Sequence, residues 1–262
     1  MKTLLLVLGI LFALILLIVC ALTFFSYRNN QTMQEMIRRA CGCVRERFPL
    51  TERDAGEYAD LRLYGILRFR VKQYDAKELG NVSVMTANMG FMQMVSFMLT
   101  PAGRKVPLCT LDFMYILGKR KSYVEFYDLV PDTRAEAYQN VLAQLSAMRA
   151  RYADLPELTP APAWYDHLLS IAMHKQLHAS QDARNADMFC DALCTWLDAA
   201  KAAPLASAEE TAAQLQIIQQ YSDQLISKGG ISTDVFKKAM GAEKTRDFFD
   251  RVFFGISNYR VS

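Results

Sequence analysis

From Leu4 to Phe25 the chain is an unbroken apolar run, LLLVLGILFALILLIVCALTFF. As a helix rising 1.5 Å per residue, its roughly 22 residues span a hydrocarbon core of about 30 Å. A helical stretch follows from about Gln31 to Arg47, with a turn at Pro49. Between Leu61 and Val130 the pattern changes to runs of strand-forming residues parted by turn signals. These predict five strands, at 62–73, 79–87, 90–100, 107–117 and 121–129, joined near Asp75, Met89, Ala102-Gly103-Arg104 and Gly118-Lys119-Arg120. Connections this short force antiparallel neighbours.

In the third strand Met92, Met94 and Met98 point one way and Val95, Phe97 and Leu99 the other, so both faces are apolar. Such a sheet needs cover on both sides. The second half of the chain predicts it as helices at 134–152, 163–179, 187–202, 208–228 and 233–253, the fourth opened by a capping box of Ser207 and Glu210. Pro156, Pro160 and Pro162 mark the loop between the first two. The predicted class is α/β of the α+β kind: a three-layer α/β/α sandwich around a central antiparallel sheet, preceded by one N-terminal transmembrane helix. Residues 1–27 would be the anchor, 28–50 a juxtamembrane helical segment and 51–262 a single domain.

Composition sharpens that division. The chain is 52% hydrophobic and 22% charged, with a net charge of +3; without its first 27 residues the hydrophobic share falls to about 49%, an ordinary globular value. Disorder, a collagen-like rod, a polytopic transporter and a nucleic-acid binder are all disfavoured. A cleaved signal peptide would have a shorter apolar core and a small-residue cleavage site, neither of which is found. Val19 before Cys20 is too bulky for lipoprotein processing. Lys2 stands alone before the span, whereas Arg28, Arg38, Arg39, Arg45 and Arg47 follow it, which predicts a single-pass membrane protein with a cytoplasmic C-terminal domain. The sequons at Asn30 and Asn81 would matter only in the reverse orientation. Cys41 with Cys43, and Cys190 with Cys194, are read as small buried hydrophobes ahead of redox or metal pairs.

The chain has no G-x-G-x-x-G after a strand, P-loop, H-E-x-x-H, G-x-S-x-G or paired C-x-x-C, which argues against nucleotide enzymes and standard metallohydrolases. Asp112 stands out in the apolar run from Leu111 to Leu117. Desolvation there would raise its pKa and suit it to proton donation near neutral pH. A turn through Lys119-Arg120, or through Gly118 to Lys121, would set Asp112 opposite Tyr127 with Glu125 two residues along; a three-residue turn would flip the pairing. The bland alternative is a strand aspartate bonded to nearby donors. His167, His174 and His178 would share a stripe of the predicted second helix, read as a half-buried or solvated face ahead of a metal site. Arg104-Lys105 and Lys119-Arg120-Lys121 are solvated turns, or a landing site for an acidic protein or anionic headgroups.

In order, the stretches FMQMVSFMLTP, VPLCTLDFMYILG and VEFYDLVPDT, with DVFKKAMGAEKTRDFFDRVFFG near the end, resemble the ferredoxin-dependent bilin reductases and their relative, red chlorophyll catabolite reductase. The resemblance covers about Leu79 to Gly255. It implies a reductase of an open-chain tetrapyrrole with no bound cofactor, fed single electrons by an external ferredoxin or flavodoxin docked on the basic turns. Asp112 falls on the family's proton-donating aspartate, with Glu125 and Tyr127 as relays and Ser96, Met94, Met98 and Met114 along the substrate. The chain departs from the family in carrying Ser96 for a histidine, Val84 for a glutamate, and Gly229 or Gly230 for a second carboxylate, with Asp234 nearby. An N-terminal anchor is not typical of the group. Two alternatives stand beside this reading: a non-catalytic binder of a tetrapyrrole or lipid-like ligand on the same fold, and a scaffold with no small ligand.

Overall fold

The structure, a computed structural model, describes residues 2–65 and 67–260, with Ile231 and Ser232 described by backbone alone. Ile66 of the first predicted strand, Met1 of the predicted anchor, and Val261 and Ser262 of the predicted domain lie outside the described residues.

The apolar run does not end at a hinge. Helix α1 runs unbroken from Lys2 to Arg47, and its first half, exposed throughout, is long and apolar enough to cross a membrane. From Asn29 onward the same helix buries Met33, Met36, Ala40, Cys41 and Val44, positions three and four apart that form one apolar stripe. The helix thus continues past Tyr27, and Met33, Met36, Ala40 and Val44 of its second half pack into the core of the domain.

The sheet has eight antiparallel strands: β1 (Leu50–Arg53), β2 (Asp60–Leu63), β3 (Leu67–Ala76), β4 (Gly80–Asn88), β5 (Met92–Pro101), β6 (Leu108–Ile116), β7 (Lys119–Tyr127) and β8 (Leu169–His178). From β3 to β8 they lie in chain order, and β1 and β2 both pair along the outer edge of β3. The helix predicted at 163–179 is corrected to a short turn, Asp166–Leu168, followed by β8. Ile171, Met173, Lys175 and Leu177 bury alternate positions there, a period of two, and the strand pairs with the otherwise free edge of β7.

Helices α2 (Glu136–Ala150) and α3 (Asp182–Ala202) join the second half of α1 over one face. Phe97 and Phe113 of the sheet meet Phe189 of α3, the latter pair edge-to-face with centroids 5.0 Å apart, and the Trp196 indole donates to the Pro107 carbonyl at 2.9 Å. Each such fully buried side chain contributes about 1.5–3 kcal/mol. Across α1 and α3 the Cys43 and Cys194 sulfurs lie 3.0 Å apart, so the close thiols are on different helices rather than within Cys41-Gly-Cys43.

The other face carries α4 (Ala208–Lys228), opened by the predicted Ser207–Glu210 capping box, then α5 (Ile231–Met240), α6 (Ala242–Phe248) and a wide turn at Phe249–Phe253. The single helix predicted at 233–253 is divided because Gly241 adopts a φ of +83°, a conformation that ends α5. The result is the predicted α/β/α sandwich around an antiparallel sheet. Asn81 is buried under the final turns, its amide donating to the Val252 carbonyl. Cover of this second face is incomplete. Along β6 and β7 the residues facing α1–α3 are buried, whereas Asp112, Met114, Ile116, Lys121, Tyr123 and Glu125, which face the other way, are half-exposed.

Candidate functional site

That uncovered strip carries the acidic residue singled out above. The β6–β7 hairpin turns through only two residues, Leu117 and Gly118, and pairs Ile116 with Lys119. Asp112 therefore stands opposite Tyr123, not Tyr127 as predicted. Leu117 provides the turn by adopting a φ of +53°, and so Lys119 and Arg120 start the strand. The correction is four residues, an even number, so every side chain keeps its face. Glu125, opposite Thr110, and Tyr127, opposite Leu108, still project on the side of Asp112.

On its other flank Asp112 pairs with Ser96 of β5, and Met94, Met98 and Met114 occupy neighbouring positions on the same face. Met94 and Met114 line the open strip, while Met98 is buried in the core beneath α4–α6. Although the residue reaches the open strip, its carboxyl is packed closely enough that burial raises its pKa from 3.8 to about 7. The Ser96 hydroxyl pulls the value down, and the negative charge of Glu125 adds to the rise.

Glu125 is held by a separate network. Its Oε2 accepts from the Tyr127 hydroxyl at 2.6 Å and the Thr110 hydroxyl at 3.3 Å, and its Oε1 lies 2.8 Å from Nε2 of His174 on β8. Among the described residues neither Glu125 nor Tyr127 hydrogen-bonds to Asp112. Burial lifts the Tyr127 phenol well above its usual range, with Tyr221 and Glu125 adding to the shift, so it acts as a hydrogen-bond donor and not a phenolate. Tyr127 packs against Tyr221 and Tyr165, and Trp164, beside both, donates to the Gly229 carbonyl at 2.8 Å. These rings wall the inner end of the strip.

His174 enters the site because β8 is a strand, and the period-two burial of its neighbours is the signal that would have found it. The predicted histidine stripe is lost: His167 sits in the exposed turn before β8, and His178, four strand residues from His174, is about 13 Å along. Tyr123, whose ring lies 5.4 Å from that of His174, was also missed, because its place depends on the length of the turn. Val84 points into the opposite layer, and Met85 is the residue beside Ser96. The Asp234 carboxylate borders Gly229 and pairs with Lys237 at 3.5 Å.

The basic turns are largely spent on internal contacts. Arg104 is buried against the Ala203 carbonyl and Glu78, Lys105 pairs with Glu210, and Arg120 pairs with Asp182 while stacking on Tyr115. Lys119 and Lys121 have no ion-pair partner among the described residues. A concavity of about 1010 Å³ lies elsewhere, between Tyr58, Asp223, Lys244 and Arg260, and is rimmed by paired charges.

No protein-family model matches the sequence, and no curated protein matches it. Among solved structures, the crystal structure of phytochromobilin synthase from tomato, in complex with biliverdin, superposes with a TM-score of 0.69 over 87% of this chain and 85% of that one, at 13% identity. The fold is that of tomato phytochromobilin synthase. The likeness spans most of both chains, and it agrees with the family resemblance carried by the strand sequences around Asp112.

Proposed function

We propose that the protein is a membrane-anchored reductase of an open-chain, bilin-like tetrapyrrole, with Asp112 as proton donor. The observation that carries this reading is a carboxyl with a pKa near 7 in a half-open, methionine-lined strip, on a fold that in the tomato enzyme is in complex with biliverdin. Adding two electrons and two protons to a conjugated tetrapyrrole in single-electron steps creates basic radical intermediates. A neutral carboxylic acid in a poorly solvated site can protonate them and be reprotonated from solvent between steps. As the family resemblance implies, an external ferredoxin or flavodoxin delivers the electrons. The α1 span holds the catalytic domain on the cytoplasmic side, as the arginines after it favour.

A second reading, a non-catalytic binder of the same class of ligand, is favoured by one observation. The two positions next to Asp112 across β5 and β4 are Ser96 and Met85, neither of which titrates near neutral pH. One experiment separates the readings: biliverdin is added to the detergent-solubilised full chain and the visible spectrum recorded, then reduced ferredoxin is supplied anaerobically. A shift on mixing followed by conversion supports the reductase. A shift without conversion supports the binder, and no shift with any open-chain tetrapyrrole overturns both.

A further inference from the structure

The geometry points to a second membrane contact: the hairpin tips at one end of the sheet rest on the bilayer that α1 enters. In an antiparallel meander alternate turns fall at the same end, and here those are Tyr64-Gly65, Asn88 to Phe91, and Leu117-Gly118. Among the described residues outside α1, the exposed large hydrophobic side chains are Tyr64, Phe91, Leu117 and Leu205, and the first three each sit on one of these tips. Tyr64 and Leu117 also hold left-handed backbone, with φ of 54° and 53°, positions where a solvated turn favours glycine or asparagine. Large apolar residues are therefore kept, against local preference, at the points of the sheet that project furthest.

The same end of the sheet is pinned to the base of the span. The Asn29 amide donates to the Leu117 carbonyl at 3.1 Å, and Gln93 donates to both the Ser26 hydroxyl and Asn88, at 3.2 and 3.0 Å. Ser26 and Asn29 follow Phe25, the last residue of the apolar run, by one and four positions, so the tips lie about one helical turn below the hydrocarbon core. From there α1 packs along the sheet, with Met36 against Tyr115, and its apolar half projects past the tips in the opposite direction. None of the three tips contains an acidic residue, and Lys119 follows Leu117 at the level of the headgroups. The occupant of this patch is thus the lipid surface itself. Held there, Met94 and Met114 lie nearer the bilayer end of the strip and Asp112 lies further from it.

The test uses the full chain in phosphatidylcholine vesicles with brominated acyl chains, which quench tryptophan at the membrane. Phe91→Trp and Leu117→Trp are compared with Leu205→Trp, which is at least as exposed as either but bridges Arg104 at the other end of the sheet. The expected result is loss of the added emission for the first two and none for the third, against the constant background of Trp164 and Trp196. Emission from both tip variants that is no more quenched than that of Leu205→Trp would overturn the inference, as would a chain that does not sediment with the vesicles. No tetrapyrrole is present, so failure here is distinct from failure of the proposed function.

Discussion

Asp112 of β6 stands opposite Tyr123 of β7, and Glu125 lies one step further along the same face. Burial of the Asp112 carboxyl and, second to it, the nearby charge of Glu125 favour the protonated acid. With a pKa near 7, the donor form predominates in mild acid and is lost above neutrality. Bilin reduction by the full chain is therefore expected to be fastest below about pH 7 and to fall about tenfold per unit well above it. Initial rates recorded across pH with a fixed electron donor check this.

The same shift affects folding. Folded Asp112 retains a proton that the unfolded chain, with a pKa near 3.8, releases, so folding takes up a proton between the two values. Stability accordingly falls as pH rises through that window, toward a limit of about 4 kcal/mol. Asp112→Asn removes the dependence. Its Tm should exceed that of the parent at pH 8 and converge with it toward pH 4, and a divergence of opposite sign would contradict the assignment.

Glu125 contributes its charge and makes no direct bond to Asp112. Glu125→Gln should lower the Asp112 pKa and move the alkaline limb of the rate profile to lower pH. The amide can still accept from Tyr127, so folding should be retained. An unchanged limb would mean that the two carboxyls do not sense one another.

Gly255 has a φ of +66°, and a methyl group there would collide with the Asn81 side chain. Asn81 links Gln73 of β3 to the carbonyl of Val252 in the closing turn, at 2.8 and 3.1 Å. Gly255→Ala is expected to destabilise the chain by about 2–3 kcal/mol, through strain and the broken bonds together. Chemical denaturation of the solubilised protein measures it.

The meander from β4 to β7 was legible because alternating side chains and short turns leave few other solutions. β8 was less legible: Ile171, Met173 and Leu177 alternate, but the polar Lys175 takes the remaining buried position of that period and masks it. The site was half legible. Asp112 announces itself as a carboxylate among apolar residues, and the face it shares with Glu125 and Tyr127 follows once the turn is even in length, as the two-residue turn is. Its partner Tyr123 depends on Leu117 taking a left-handed turn position, which its side chain disfavours. His174 was hidden with β8. The continuity of α1 was missed for another reason: the change from uniformly apolar to amphipathic at Asn29 alters what surrounds the helix without breaking it.

The central claim is that Asp112 donates protons to a tetrapyrrole held on the open strip. It is tested most directly by comparing the parent and Asp112→Asn chains, each loaded with biliverdin and given reduced ferredoxin under anaerobic conditions, by visible spectroscopy. The account predicts that both bind with a spectral shift and that only the parent converts the pigment, with the variant slowed by at least about 100-fold. Conversion by Asp112→Asn at the parental rate would contradict it.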